Sequence, residues 1–229
     1  MFPLSILVIA AADIPSIPAT DGSTFSRELQ TILVARFYQL LTPKAVEDLS
    51  SKHTLRDYCK WKGITCASEK VTEIYYQGND YGNFDLCFLP PTLERVMIHH
   101  CHQRYAIQTR NLPRALQVCH ITHNQLFGSV DLLILPGNLV SLDLSYNQLE
   151  GPIDLTNLPR GLERVGLEKN AIRQAIVYYG ELHPKIVITL RVIRQDELTN
   201  EISEVRALHP ENRVKSKKVF RNFPAKHIH

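Results

Sequence analysis

The dipeptide Leu-Pro occurs four times in this chain, at Leu89, Leu112, Leu135 and Leu158, each 23 residues after the last. The register extends far beyond the dipeptide. The third copy reads LPGNLVSLDLSYNQLEGPIDLTN, with apolar residues at Leu135, Leu139, Leu142, Leu144, Leu149, Ile153 and Leu155, and with Asn147 between them. The second copy matches at Leu112, Leu116, Cys119, Ile121, Asn124, Leu126 and Val130. The fourth supplies Leu158, Leu162, Val165, Leu167, Asn170, Ile172 and Ile176. The first places Leu93, Val96 and Ile98 in register and has Cys101 where the others have Asn. A unit this short cannot bury its apolar edge alone, so neighbouring units must stack on one another.

The pattern L-x-x-L-x-L-x-x-[N/C]-x-L resembles that of the leucine-rich repeat family. The expected fold is an α/β repeat solenoid, a right-handed superhelix with short parallel strands on the concave face and a helical N-terminal cap. In each unit x-L-x-L forms a strand whose alternate residues face the core. The following Asn also turns inward, and its amide satisfies backbone groups that would otherwise be buried unpaired. That structural role falls to Asn79, Cys101, Asn124, Asn147 and Asn170. The units degrade at the ends. Val71 to Tyr76 with Asn79 fits an opening repeat, and His183-Pro184 with Val187, Leu190 and Val192 fits a closing one without its Asn. Six strands are expected over 71–193. A second short strand per unit is expected at Gly128 to Leu132 and Gly151 to Leu155, on the solenoid flank.

Upstream, Phe25, Leu29, Ile32, Leu33, Phe37, Leu40 and Leu41 are spaced for an amphipathic helix over 24–41. Thr42-Pro43 suits the start of another. Then comes Cys59-Lys-Trp61-Lys-Gly63-Ile-Thr-Cys66, followed by Val71-Thr72-Glu73-Ile74. From residue 24 to about 193 the chain is similar to plant-type leucine-rich repeat proteins, with their C-x-W-x-G-[IV]-x-C cap. That resemblance implies a disulfide between Cys59 and Cys66, and Trp61 packed on the first repeat. Two departures stand out: L-x-G-x-[VI]-D-L replaces the family's L-x-G-x-I-P, and no Asn-x-Ser/Thr sequon is present. The L-P-x-x-L frame also resembles short, surface-antigen-like repeat proteins of kinetoplastids, from which no function follows.

Composition excludes little on its own. At 44% apolar and 21% charged, the 229 residues read as a soluble globular protein. Five cysteines are too few for a disulfide scaffold, and Cys87, Cys101 and Cys119 read as small core residues. No stretch is long and apolar enough for a membrane span. Phe2 to Ala12 has the length of a signal-peptide core, although no Lys or Arg precedes it; the alternative is a buried N-terminal strand or short helix. The layout is a leader over 1–19, a helical cap over 20–70, about six repeats over 71–194 and a C-terminal cap segment with a basic tail over 195–229.

A repeat scaffold works through the residues it points outward. One outward column reads Tyr75, Met97, His120, Asp143, Gly166 and Arg191. The next reads Gln77, His99, Thr122, Ser145 and Glu168, and a third Gly78, His100, His123, Tyr146 and Lys169. The candidate partner-binding residues are Tyr75, Met97, His99, His100, His120, His123, Asp143, Ser145, Tyr146, Glu168 and Lys169. Together with His102, the four histidines are open to three readings: a surface metal site for Zn, Ni or Cu, a pH-sensitive contact patch, or an exposed surface rich in histidine. No hydrolase, zinc-protease, P-loop or dinucleotide-binding motif is present. Asp131 and Asp154 sit one repeat apart, as turn residues rather than an acid–base pair. The chain is therefore expected not to be an enzyme and to need no cofactor.

The formal charge of +3 divides into −3 over residues 1–205 and +6 over 206–229. Leu198, Ile202, Val205 and Leu208 are spaced for a helix that lids the last repeat, and the segment past Pro210 is expected to be a solvated tail. The functional expectation is recognition of a protein or peptide on the concave face, secreted or at the cell surface. The alternative is an intracellular scaffold whose basic tail reaches an anionic lipid or nucleic acid, with Phe220 and Phe223 among the charges.

Overall fold

A computed structural model describes residues 22–192 and 200–229. The expected leader over 1–19 lies outside the described residues. Each Leu-Pro opens a tight turn, in which the N–H groups of Leu93, Leu116, Leu139 and Leu162 donate to the carbonyls of Pro90, Pro113, Pro136 and Pro159 at 2.9–3.0 Å. Proline has no N–H to lose at this point, and the leucine that closes the turn enters the core.

The cap comprises α1 (Gly22–Phe37) and α2 (Pro43–Ser50), then the antiparallel hairpin of β1 (Ile64–Ala67) and β2 (Lys70–Gln77). Helix α1 stops short of the expected end at residue 41, because Leu41 bridges Gly82 and Thr42 caps α2, accepting from the Ala45 N–H at 3.2 Å. From β2 onward the strands of the main sheet are parallel. They are β3 (Arg95–His99), β4 (Val118–His120), β6 (Ser141–Asp143), β8 (Arg164–Gly166), β10 (Val187–Thr189) and β12 (Phe220–Arg221), in the order β1-β2-β3-β4-β6-β8-β10-β12. The flank carries β5 (Phe127–Gly128) with β7 (Gln148–Leu149), and β9 (Arg173–Tyr179) with β11 (Glu201–Ala207). The first flank pair lies ahead of its expected position: β5 starts three residues after Asn124, and β7 directly after Asn147 and before Gly151.

The register aligns one inward column: Ile74, Val96, Cys119, Leu142, Val165, Ile188 and Phe220. All seven are buried, as is the second column of Ile98, Ile121, Leu144, Leu167 and Leu190. At roughly 1.5–3 kcal/mol per buried large apolar side chain, these two columns supply much of the driving force for stacking. The cap seals the N-terminal end with aromatic rings: Phe37 stacks on Phe84 and Phe84 on Tyr76, at 5.1 and 4.6 Å between centroids. Trp61 packs on Tyr38 at 5.2 Å and donates to the Thr54 carbonyl. Cys59 and Cys66 form a disulfide.

Beside the columns runs a ladder of amides. Asn124 Oδ1 accepts from the N–H groups of Cys101 and Gln103, Asn147 Oδ1 from Leu126, and Asn170 Oδ1 from Leu149, at 2.9–3.1 Å. Their Nδ2 groups donate to buried carbonyls, including those of Ile98, Ile121 and Leu144. Asn79 does not join the ladder; it is half-exposed, and among the described residues its side chain donates to the nearby Gln77 carbonyl. Cys101, with no amide, offers a weak S–H to the His99 carbonyl. Gln103 compensates from two residues on, accepting from Phe84 N–H and donating to the carbonyls of Gly82 and Cys101. The closing repeat has not lost its Asn either: Asn200 accepts from Ile172 N–H and donates to the carbonyls of Leu167 and Leu190.

Four further expectations are corrected. In the fourth repeat Val177 and Tyr179 turn inward in place of Ile176, because β9 is a longer strand and alternation fixes which face each residue takes. Leu198 lies outside the described residues, while Ile202 and Val205 belong to strand β11 and not to a helix. The edge of β9 offers backbone partners that only an extended chain satisfies. Residues 210–229 form short 3₁₀ turns and β12 and cover the last coil with Phe220, Phe223 and Ile228. The end of a solenoid leaves an apolar face that needs such a cover. Cys87 is exposed, its Sγ accepting from Asn111 at 3.2 Å, and is not a core residue.

Candidate functional site

The outward residues of the strands form a surface held from beneath by the two buried columns. In the first outward column the register runs Tyr75, Met97, His120, Asp143, Gly166 and then Thr189. Thr189 thus takes the place expected for Arg191. The guanidinium of Arg191 instead lies over the Phe223 ring at 5.1 Å and donates to the Ile202 carbonyl. Gly166 leaves room for Asp143: a Cβ on Gly166 would come within 2.7 Å of Asp143 Oδ1. Asp143 in turn accepts from the Ser145 N–H at 3.0 Å and the Ser145 hydroxyl at 2.6 Å. Ser145 is buried by this contact and supports Asp143 without facing solvent itself.

The histidines divide into two rows. His99 lies 6.2 Å from Tyr75 and 6.4 Å from His120, ring centre to ring centre. Its Nδ1 is 2.7 Å from Thr122 Oγ1, and His120 Nε2 is 2.8 Å from Ser141 Oγ. In the second row His100 stacks on His123 at 4.1 Å, and His123 on Tyr146 at 4.0 Å, with interplanar angles of 25° and 11°. All three of these residues are exposed, as is His102. Each member of this row sits at positive φ just before the inward Asn or Cys position, so the backbone throws every side chain the same way.

Burial holds the imidazoles of His99, His120 and His123 below their ordinary pKa, with the Asp143 carboxylate opposing the shift in each case. Burial also raises the Glu168 carboxyl, whose Oε2 has no partner among the described residues. The face therefore carries imidazole and phenol rings toward the cap and the carboxyl groups of Asp143 and Glu168 beyond them. Among the described residues no group of three or more His, Cys, Asp or Glu is placed to hold a metal ion. The four imidazoles His99, His100, His120 and His123, for which a metal site is one of three readings, stack or lie against hydroxyls. Asp131 and Asp154 close turns, accepting from the N–H groups of Leu133 and Thr156.

No family model and no curated protein matches the sequence. Among solved structures the chain is similar to one described as a pollen receptor kinase 3, at 19% identity, covering 70% of this chain and 82% of that one, with a TM-score of 0.56. Its fold is the leucine-rich repeat solenoid with a plant-type cap. Another match is the Arabidopsis receptor kinase HAESA ectodomain in complex with a peptide hormone ligand, at 15% identity and a TM-score of 0.43, covering 82% of this chain and 43% of that one. The present chain spans less than half of that ectodomain. No helix among the described residues of this repeat protein is long and apolar enough to cross a membrane.

Some buried amides that support the repeats from beneath were invisible to the motif. Gln103 and Asn200 fall outside the 23-residue register, and Gln30 of α1, which accepts from Val71 N–H at 2.8 Å, lies in the cap. A buried amide leaves no periodic trace unless it repeats at the period.

Proposed function

We propose that this repeat protein is a non-catalytic recognition module that binds a peptide or protein segment across its concave strand face. The observation that carries this reading is the stacked row His100, His123 and Tyr146 beside Tyr75, Met97, His99, His120, Asp143, Glu168 and Lys169. Rings fixed in advance by stacking and hydroxyl contacts lose little freedom on binding, which lowers the cost of association. The disulfide of the cap supports a secreted or surface location, because such bonds persist in oxidising compartments. Selection of peptides from a display library on the full chain tests the reading. Selected peptides should lose at least roughly tenfold in affinity on Tyr146→Ala or His123→Ala, as hot-spot residues do. Leu133→Asp, on the exposed flank, should leave them unchanged. Binding that ignores both substitutions on the strand face would sink the idea.

A second reading is an intracellular scaffold with an anionic partner. It is favoured by the exposed Arg213, Lys215, Lys217, Lys218, Arg221 and Lys226 of the C-terminal cap. Burial of Phe220 and Phe223 means that charge alone would drive such binding. Free thiols at Cys59 and Cys66 in the native protein, read by mass spectrometry, would favour this second reading over the first.

A further inference from the structure

We propose that the stacked row is one ring short at Gly78, and that the space there is a subsite for an aromatic side chain of a bound peptide. The inference rests on the reading that the strand face binds peptides, and it names the chemistry of one contact.

Gly78 occupies the same position as His100, His123 and Tyr146. Its N–H donates to the His99 carbonyl at 3.0 Å, as His100 donates to Thr122, His123 to Ser145 and Tyr146 to Glu168 at 3.0–3.2 Å. Its φ of 69° lies with the 52°, 54° and 56° of those three residues. One step of the ladder therefore separates Gly78 from His100, and the two steps beyond place rings 4.1 and 4.0 Å apart. A Cβ built on Gly78 meets no described atom within 4 Å. His100 is exposed, and the ring it stacks on, His123, lies one ladder step away on the side opposite Gly78. Gln77 is drawn aside, its Oε1 accepting from the Tyr75 hydroxyl. Strand β1 runs antiparallel to β2 and so continues no such row.

The space suits a flat ring, which would stack on His100 at the spacing of the existing pairs. A branched aliphatic side chain gains no such stacking. Asp80, two residues after Gly78, is exposed, and a carboxylate there disfavours a phosphate backbone. A polypeptide is thus favoured over a nucleic acid as the source of the ring.

NMR titration of the full chain with N-acetyl-tryptophanamide and, separately, N-acetyl-leucinamide tests the subsite. The tryptophan amide should shift the Gly78 amide and the His100 ring signals by its ring current, and bind roughly 2- to 10-fold more tightly than the leucine amide. Gly78→Asn keeps a residue that tolerates positive φ but fills the space, and should abolish those shifts with the remaining spectrum intact. His100→Asn should do the same by removing the platform. Equal shifts from both probes, shifts centred elsewhere, or shifts that survive both variants would overturn the subsite. Because the probes are single residues, that failure is separate from any result with selected peptides.

Discussion

Asn170 and Asn200 occupy successive rungs of one amide ladder, although the chain between them is longer than the 23 residues that separate Asn124, Asn147 and Asn170. Asn170 Oδ1 accepts from Leu149 N–H at 2.9 Å and Asn200 Oδ1 from Ile172 N–H at 3.2 Å, while both Nδ2 groups donate to the Leu167 carbonyl. The ladder continues from Asn170 to Asn200 across this longer interval.

The role of Asn200 predicts that Asn200→Ala costs as much as Asn147→Ala. Each leaves buried backbone groups unpaired at about 1–3 kcal/mol apiece. Urea unfolding of both variants checks this; an Asn200→Ala midpoint equal to wild type would contradict it.

Two glycines should respond differently to a methyl group. A Cβ on Gly180 would lie 2.2 Å from the Thr156 carbonyl oxygen, part of the backbone, whereas Gly137 has nothing within 4 Å. Gly180→Ala is expected to destabilise by about 2–3 kcal/mol and Gly137→Ala by less than about 0.5. Thermal melts of the two variants suffice to compare them.

The C-terminal cap predicts another contrast. Phe220 pairs with Ile188 and is buried, while Lys218 is exposed. Phe220→Ala should cost about 3–5 kcal/mol and uncover the last coil, whereas Lys218→Ala should change little. Hydrogen exchange at β10 would rise in the first variant alone.

Stability should fall on mild acidification. Burial holds His99, His120 and His123 below the ordinary imidazole value of 6.5, so just below 6.5 the unfolded chain binds more protons than the folded one. Their contribution is complete above about pH 7, is lost as the pH falls through 6.5, and levels off once the folded imidazoles protonate too. Glu168, raised above 4.5 by burial, works in the opposite sense, since its folded form takes up a proton first. Urea midpoints at several pH values should show the loss, and combined His99→Gln, His120→Gln and His123→Gln should flatten it.

The disulfide closes a short loop, since Cys59 and Cys66 are 7 residues apart. Loop-closure entropy makes it worth about 2–3 kcal/mol. The Cys59→Ser and Cys66→Ser pair should lower the denaturation midpoint accordingly, measured against the oxidised wild type.

The period in the sequence determined the solenoid, because each coil can bury its apolar edge only against a copy of itself, and that requirement writes the same residues at the same interval. Cys119, Leu142 and Val165 were legible as core for this reason, and so were the outward rows that contain His120 and Asp143. Tertiary structure decided what departs from the period. Gln103 and Asn200 reach the amide ladder from off-register positions, and Ser145 turns under Asp143. The basic segment past Pro210 folds because the last coil leaves an apolar face and a strand edge uncovered. Local composition carries no record of such a vacancy; it exists only once the coils are stacked.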